Sequence, residues 1–204
     1  MQFKQGLWLI LFFSTLAWSA WNPHDYPTWW LETIPAMVAL VILAITRHRF
    51  PLTPLAYCLI LIHSIILMIG GHYTYAEVPL GDWVRDLVGG SRNNYDKLGH
   101  LAQGFIPAIV VREVMVRHGV VAVRAWLPFI IVCICLAISA FYELIEWWVA
   151  LLSAEAADSF LGTQGYVWDT QSDMFLAMIG AIAALLVFSK SHDRQIRVIV
   201  ERRE

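Results

Sequence analysis

The stretch Leu127-Pro-Phe-Ile-Ile-Val-Cys-Ile-Cys-Leu-Ala-Ile-Ser-Ala-Phe-Tyr-Glu-Leu-Ile-Glu-Trp-Trp-Val-Ala-Leu-Leu152 decides the fold class. Its only charges are Glu143 and Glu146. A hydrocarbon core of roughly 30 Å needs about 20 apolar residues in a helix, and this run exceeds that. Working outward, five further apolar stretches reach or approach the same length: Gly6–Ala20, Leu31–Thr46, Leu52–Gly70, Leu98–Val116 and Met174–Ser189. The first two are short and borrow flanking tryptophans. The pattern predicts an all-α, polytopic transmembrane bundle of about six helices. It occupies residues 1–189 as one unit, with an extracytoplasmic loop over 71–96 and a short basic tail over 190–204.

Composition agrees. Hydrophobic residues make up 59% of the 204-residue chain and charged residues 15%, against roughly 45–50% and 25% in soluble domains. So few charges cannot clothe a globule in water, whereas a bilayer supplies an apolar solvent. No Lys/Arg-rich face marks a nucleic-acid partner, so the expected partners are membrane lipids. Oligomeric state is not legible. Cys58, Cys133 and Cys135 all lie in apolar runs, and Cys133 and Cys135 point to different sides of a helix. Neither a disulfide nor a CxxC zinc site is expected.

Loop charges orient the bundle. Lys4, Arg47, Arg49, Arg117, Arg124, Lys190, Arg194, Arg197, Arg202 and Arg203 fall on one side. Asp25, Glu32, Glu77, Asp82, Asp86, Glu155 and Asp158 fall on the other, with Arg85, Arg92 and Lys97 as its basic residues. The positive-inside rule then places both termini in the cytoplasm. Trp21, Trp29, Trp30, Trp147 and Trp148 form an aromatic belt at the opposite interface. Lys4, the first apolar run and Ala17-Trp18-Ser19 also fit a signal peptide with a small-x-small cleavage site. Within the loop, Trp83, Val84, Leu87 and Val88 share one side of a short interfacial helix over Leu80–Val88.

Ionisable groups at membrane depth are costly unless paired or hydrated, which makes them functional candidates. Asp96 and His100 are four apart at the outer end of the fourth stretch. Glu143 and Glu146 are three apart in the fifth, and Asp169 and Asp173 four apart at the start of the sixth. Each spacing puts a pair on one helical face. At about 1.5 Å per residue, Glu143 lies roughly 13 Å below the outer helix end and Glu146 roughly 9 Å. A divalent cation would relieve the repulsion between such acids, and Glu and His on facing helices are a known metal-binding solution. Oxygen donors favour Mg²⁺, Mn²⁺ or Ca²⁺, and the histidines also admit Zn²⁺ or iron.

The expected roles are metal ligation by Asp96, His100, Asp169 and Asp173, and catalysis by Glu143 and Glu146. His72, Tyr75, Thr163 and Gln164 are the candidate substrate contacts, the last two in a turn bracketed by Gly162 and Gly165. Plain structural roles compete: Asp96 and Asp169 as N-caps, Asp173 as a helix-dipole partner, and His100 as a packing element. Arg112, Glu113 and Arg117, at the cytoplasmic end of the fourth helix, are read as paired and snorkelling.

Gly70-Gly71-His72-Tyr73-Thr74-Tyr75-Ala76-Glu77-Val78-Pro79 and Asn94-Tyr95-Asp96-Lys97-Leu98-Gly99-His100 resemble the YjdF family of bacterial inner-membrane proteins. So do Ala140-Phe141-Tyr142-Glu143-Leu144-Ile145-Glu146-Trp147-Trp148 and Gly162-Thr163-Gln164-Gly165-Tyr166-Val167-Trp168-Asp169-Thr170-Gln171. The resemblance covers nearly the whole chain. It implies the bacterial inner membrane and, being to a domain of unknown function, no substrate. The order Asp-Lys…His, Glu-rich helix, Asp…Asp is also similar to VanZ-like membrane proteins, a fold-level analogy. That pattern tends toward one acid and a Gln where this chain has Glu143 and Glu146. Three functions are compatible with the residues: a metal-dependent, hydrolase-like enzyme acting on a lipid or envelope precursor, a proton- or cation-coupled transporter or ion-binding module, and a non-catalytic assembly factor. The lack of an internal repeat weighs against the transporter.

Overall fold

The computed structural model describes residues 2–152 and 164–201. The described residues form seven helices and no strand: α1 (Gln2–Ser19), α2 (Tyr26–Thr46), α3 (Pro54–Tyr73), α4 (Pro79–Val88), α5 (Tyr95–Arg117), α6 (Leu127–Leu152) and α7 (Asp169–Glu201). Single 3₁₀ turns at Tyr75–Glu77 and Arg124–Trp126 lead into α4 and α6. All six apolar stretches are helical, and α4 is the short helix expected in the loop.

Among the described residues, four helices are long and apolar enough to cross a membrane: α2, α3, α6 with its leading 3₁₀ turn, and α7. The apolar part of α1, Gln5–Ser19, is shorter. Helix α5 has the length but carries Asp96, Lys97, Arg112, Glu113 and Arg117. Its position resolves the conflict, because α5 is the central helix, packed against α3, α6 and α7. Its polar groups therefore face protein rather than lipid. Lipid-facing positions stay apolar, as at Ile45, Phe129, Leu186 and Val187.

The closest approach is between α5 and α7, and small residues make it. A Cβ on Gly104 would land on the Ala177 carbonyl, and one on Gly180 would land on the Leu101 carbonyl. Removing two side chains lets the backbones meet, the usual device where lipid removes a hydrophobic drive for helix association. Around this contact Ile106, Ala108, Ile109, Ile131, Cys135, Ala181 and Ala184 are buried in one apolar cluster. Helix α1 packs on α3 as a member of the bundle: Phe12 is fully buried and Trp8 Nε1 donates to the Tyr57 carbonyl at 2.8 Å.

Helix ends differ from the apolar windows because polar turns extend them. Helix α2 starts at Tyr26, five residues before Leu31, since Asp25 caps it by accepting from Thr28 N at 2.7 Å and Pro27 sits in its first turn. Helix α3 runs past Gly70 to Tyr73, which shortens the expected loop. Helix α7 continues through the basic segment to Glu201. At about 1.5 Å per residue it is about 50 Å long, well beyond the hydrocarbon core. Its far end is held by Arg112 to Asp193 at 2.7 Å, His192 to Glu113 at 3.1 Å, and Gln195 accepting from Leu55 N at 3.0 Å.

Trp21, Trp30, Trp147 and Trp148 are exposed as a belt requires, but Trp29 is buried and donates to Ser19 Oγ at 3.1 Å. The apolar residues Trp83, Val84, Leu87 and Val88 of α4 are all exposed, as is Leu80. Cys133 is exposed and Cys135 buried, and all three cysteines are free.

Candidate functional site

Helices α5, α6 and α7 bring their polar faces to one level. Asp96, His100, Glu143, Glu146, Asp169 and Asp173 are all buried. His100 stands at the centre. Its Nε2 lies 3.4 Å from Asp96 Oδ1, and its Nδ1 lies 3.2 Å from Gln103 Oε1 and 3.8 Å from Glu143 Oε1. Two sets of donors each come within 4.8 Å of one another: Asp96, His100 and Asp173, and His100, Glu143 and Glu146. His100 belongs to both, so the two sets adjoin.

Asp96 is not an N-cap. It is the second residue of α5, with Asn94 in the cap position, and this leaves its carboxylate directed at His100 and at Arg92, whose Nη2 is 3.5 Å away. Asp169 opens α7 and is held by two cations, Arg92 Nη1 at 2.6 Å and Lys97 Nζ at 2.6 Å. It stands outside both donor sets. Lys97 Nζ also donates to Ser172 Oγ at 2.6 Å and Asp173 Oδ1 at 2.7 Å, tying α5 to α7. Burial works against the Arg92 charge, but the bond to Asp169 and the charges of Asp169, Asp96 and Asp173 together outweigh it and raise its pKa above the ordinary value.

Glu143 is different. Its Oε1 is buried and has no hydrogen-bond partner among the described residues, with a side chain only 6% exposed. The 3.8 Å to His100 is too long for a hydrogen bond. A buried carboxylate oxygen without a donor is costly, and here it points into a nest of other acids.

Two participants are not evident from the spacing. Glu32 is buried and accepts from the Tyr142 hydroxyl at 3.1 Å, and Tyr75 bonds to it as well. Its proper signal is the buried α2 stripe Trp29, Glu32, Thr33, Ala36, Leu43, which has helical periodicity. An apolar window starting at Leu31 hides that stripe by treating Glu32 as a loop acid. Tyr142 precedes Glu143 and faces α2, with no pairwise spacing to announce it.

The expected substrate contacts separate. Tyr75 joins the cluster: its ring packs where Gly70 and Gly99 lack side chains. Burial, with the Glu32 carboxylate beside it, pushes its phenol well above the ordinary value, so it remains a donor. His72 turns away toward α1, with Nδ1 3.1 Å from the Ser19 carbonyl and its ring 4.4 Å from that of Trp18. Gln164 exchanges two hydrogen bonds with the Asn93 backbone, at 3.1 and 2.9 Å. Thr163 lies outside the described residues. A crevice of about 380 Å³ adjoins the cluster, lined by Arg92, Asn94, Lys97, Gln164 and Tyr166 among others. The Tyr166 ring lies 5.5 Å from Lys97 Nζ and 5.6 Å from Arg92 Cζ.

Helices long and apolar enough to span a membrane, around a buried acid–histidine cluster, define a polytopic membrane protein with a polar centre inside its bundle. The chain belongs to the family described as Predicted membrane protein (DUF2238), whose model matches residues 5–194. It is 52% identical over 176 residues to the inner membrane protein YjdF of Escherichia coli (strain K12), covering 86% of this chain and 84% of that one. No solved structure matches. The chain is accordingly an integral protein of the bacterial inner membrane.

Proposed function

We propose that the chain holds a divalent cation between α5, α6 and α7 and uses it as a metal-dependent, hydrolase-like enzyme on a lipid or envelope precursor at the extracytoplasmic face. The observation that carries this reading is the buried, partnerless Glu143 Oε1 beside two adjoining donor sets. Among the described residues, six buried carboxylates, counting Glu32, share the cations Arg92 and Lys97 and the imidazole of His100. A dication would offset much of that excess and give Glu143 Oε1 a partner. Asp96, His100 and Asp173 are the proposed ligands, and Glu143 and Glu146 the ligand or general base. Asp169, already bound by two cations, positions Lys97 and Arg92. The oxygen-rich set favours Mg²⁺, Mn²⁺ or Ca²⁺, with Zn²⁺ admitted by His100. Such an ion supplies Lewis acidity and an activated water. The crevice beside Lys97 and Tyr166 offers a route for a substrate from the outer leaflet.

The transport reading meets a physical obstacle. Between the outer cluster and the polar network of Arg112, Glu113 and His192 lies the layer of Ile106, Ala108, Ile109, Cys135, Ala181 and Ala184, fully or nearly fully buried. It offers no polar path along α5. The test is metal analysis of the full chain purified in detergent. About one equivalent of divalent metal is expected in the wild type, with loss in Glu143→Gln and Asp173→Asn. Substoichiometric metal in a wild type presented with each of the four ions refutes the reading.

A further inference from the structure

A second crevice, of about 230 Å³, opens at the other end of the bundle, between α5, α6 and α7. Its walls are apolar, from Val116, Leu127, Ile131 and Leu185, and its charged lining residues are Arg112 and Arg124. Among the described residues, no carboxylate lines it. Arg112 is buried and oriented by its neighbours, with Nη2 on Asp193 at 2.7 Å and Nη1 3.2 Å from His192. Arg124 is exposed, and its side chain forms no ion pair or hydrogen bond among the described residues. Trp126 and Phe129, both exposed, stand edge to face at 5.9 Å beside it, and α7 turns from apolar to charged at Ser189–Lys190. Those features mark the headgroup level of a leaflet.

We infer that this crevice is a binding site for an anionic phospholipid, with the phosphate between Arg112 and Arg124 and an acyl chain along Val116, Ile131 and Leu185. Charge complementarity selects the ligand. Arg124 has no counter-charge among the described residues, and Arg112, although paired with Asp193, still lines the crevice, so a net negative headgroup is favoured over a zwitterionic one, the pattern of basic pockets between transmembrane helices. The apolar walls favour a lipid over a free phosphate, which would leave them without a partner. Arg112 supplies a donor held by its neighbours and Arg124 an exposed one at the rim. The site is separate from the acid–histidine cluster and does not depend on a metal there.

Native mass spectrometry of the full chain in detergent, titrated with phosphatidylglycerol or phosphatidylcholine, tests this. The wild type is expected to prefer phosphatidylglycerol, and Arg124→Gln to lose about fivefold of that affinity, the usual share of one basic side chain at a charged surface. Arg124→Lys should retain the preference. Arg197→Gln, which removes an exposed arginine of α7 outside the crevice, should retain it too. Equal binding of the two lipids by the wild type overturns the inference, as does an equal loss in Arg197→Gln. Displacement of phosphatidylglycerol by equimolar inorganic phosphate would assign the site to a free anion and overturn it as well.

Discussion

Replacing Lys97 with methionine removes the cation that ties α5 to α7 while keeping the volume of its stem. In the native arrangement Nζ bonds Asp169 at 2.6 Å, Ser172 at 2.6 Å and Asp173 at 2.7 Å. Asp169 keeps Arg92 after the change, but Asp173, whose side chain is 4% exposed, loses its cation. Stranding one partner of a buried pair costs about 3–5 kcal/mol. The lower end applies because Lys97 is 17% exposed and water reaches it. For a chain of this length about 3 kcal/mol corresponds to a fall of about 6–12 °C in the unfolding midpoint. Thermal unfolding in detergent with a chelator present reads this shift. Adding Asp173→Asn removes the stranded charge, so the double variant should recover at least half of the loss. A Lys97→Met midpoint within 2 °C of wild type, or a double variant as unstable as the sum of both singles, refutes the reasoning.

Gly104→Val drives a branched side chain into the Ala177 backbone, and overpacking of that kind costs about 1–3 kcal/mol or more; Gly6→Ala, with nothing within 4 Å of its Cβ, should leave the same thermal midpoint unchanged. Orientation is tested by cysteine labelling in a background with Cys58, Cys133 and Cys135 replaced. A membrane-impermeant maleimide should label Ser91→Cys in cells whose outer membrane alone is permeabilised, and Lys190→Cys only after the inner membrane is lysed, with the reverse pattern contradicting cytoplasmic termini.

The bundle was legible because lipid imposes a simple rule on composition: each apolar run became a helix. Helix ends were less so, since Asp25, Pro27 and the α7 contacts of Asp193 and Gln195 extend helices by bonds that no hydropathy window registers. The site was legible as three helical pairs, and α5, α6 and α7 do bring Asp96, His100, Glu143, Glu146, Asp169 and Asp173 to one level. Which partner each acid takes depends on tertiary geometry. The spacing between Asp169 and Asp173 said nothing of Lys97 and Arg92, which reach them across sequence separations of more than seventy residues. Glu32 and Tyr142 stayed hidden for the same reason, being joined by one hydrogen bond that the Tyr142 hydroxyl of α6 donates to Glu32 of α2, 110 residues away in sequence. His72, by contrast, looked like a site residue because it ends α3, yet the rotation of that helix turns it onto Ser19 and Trp18.

An ion held against His100 between the carboxylates of α5, α6 and α7 would couple magnetically to the imidazole nitrogen. Electron spin echo envelope modulation on the purified full chain with one equivalent of Mn²⁺ tests it most directly. A ¹⁴N coupling from one imidazole is expected, abolished in His100→Gln and retained in His72→Gln. Bound Mn²⁺ without nitrogen coupling, or coupling that survives in His100→Gln, contradicts it.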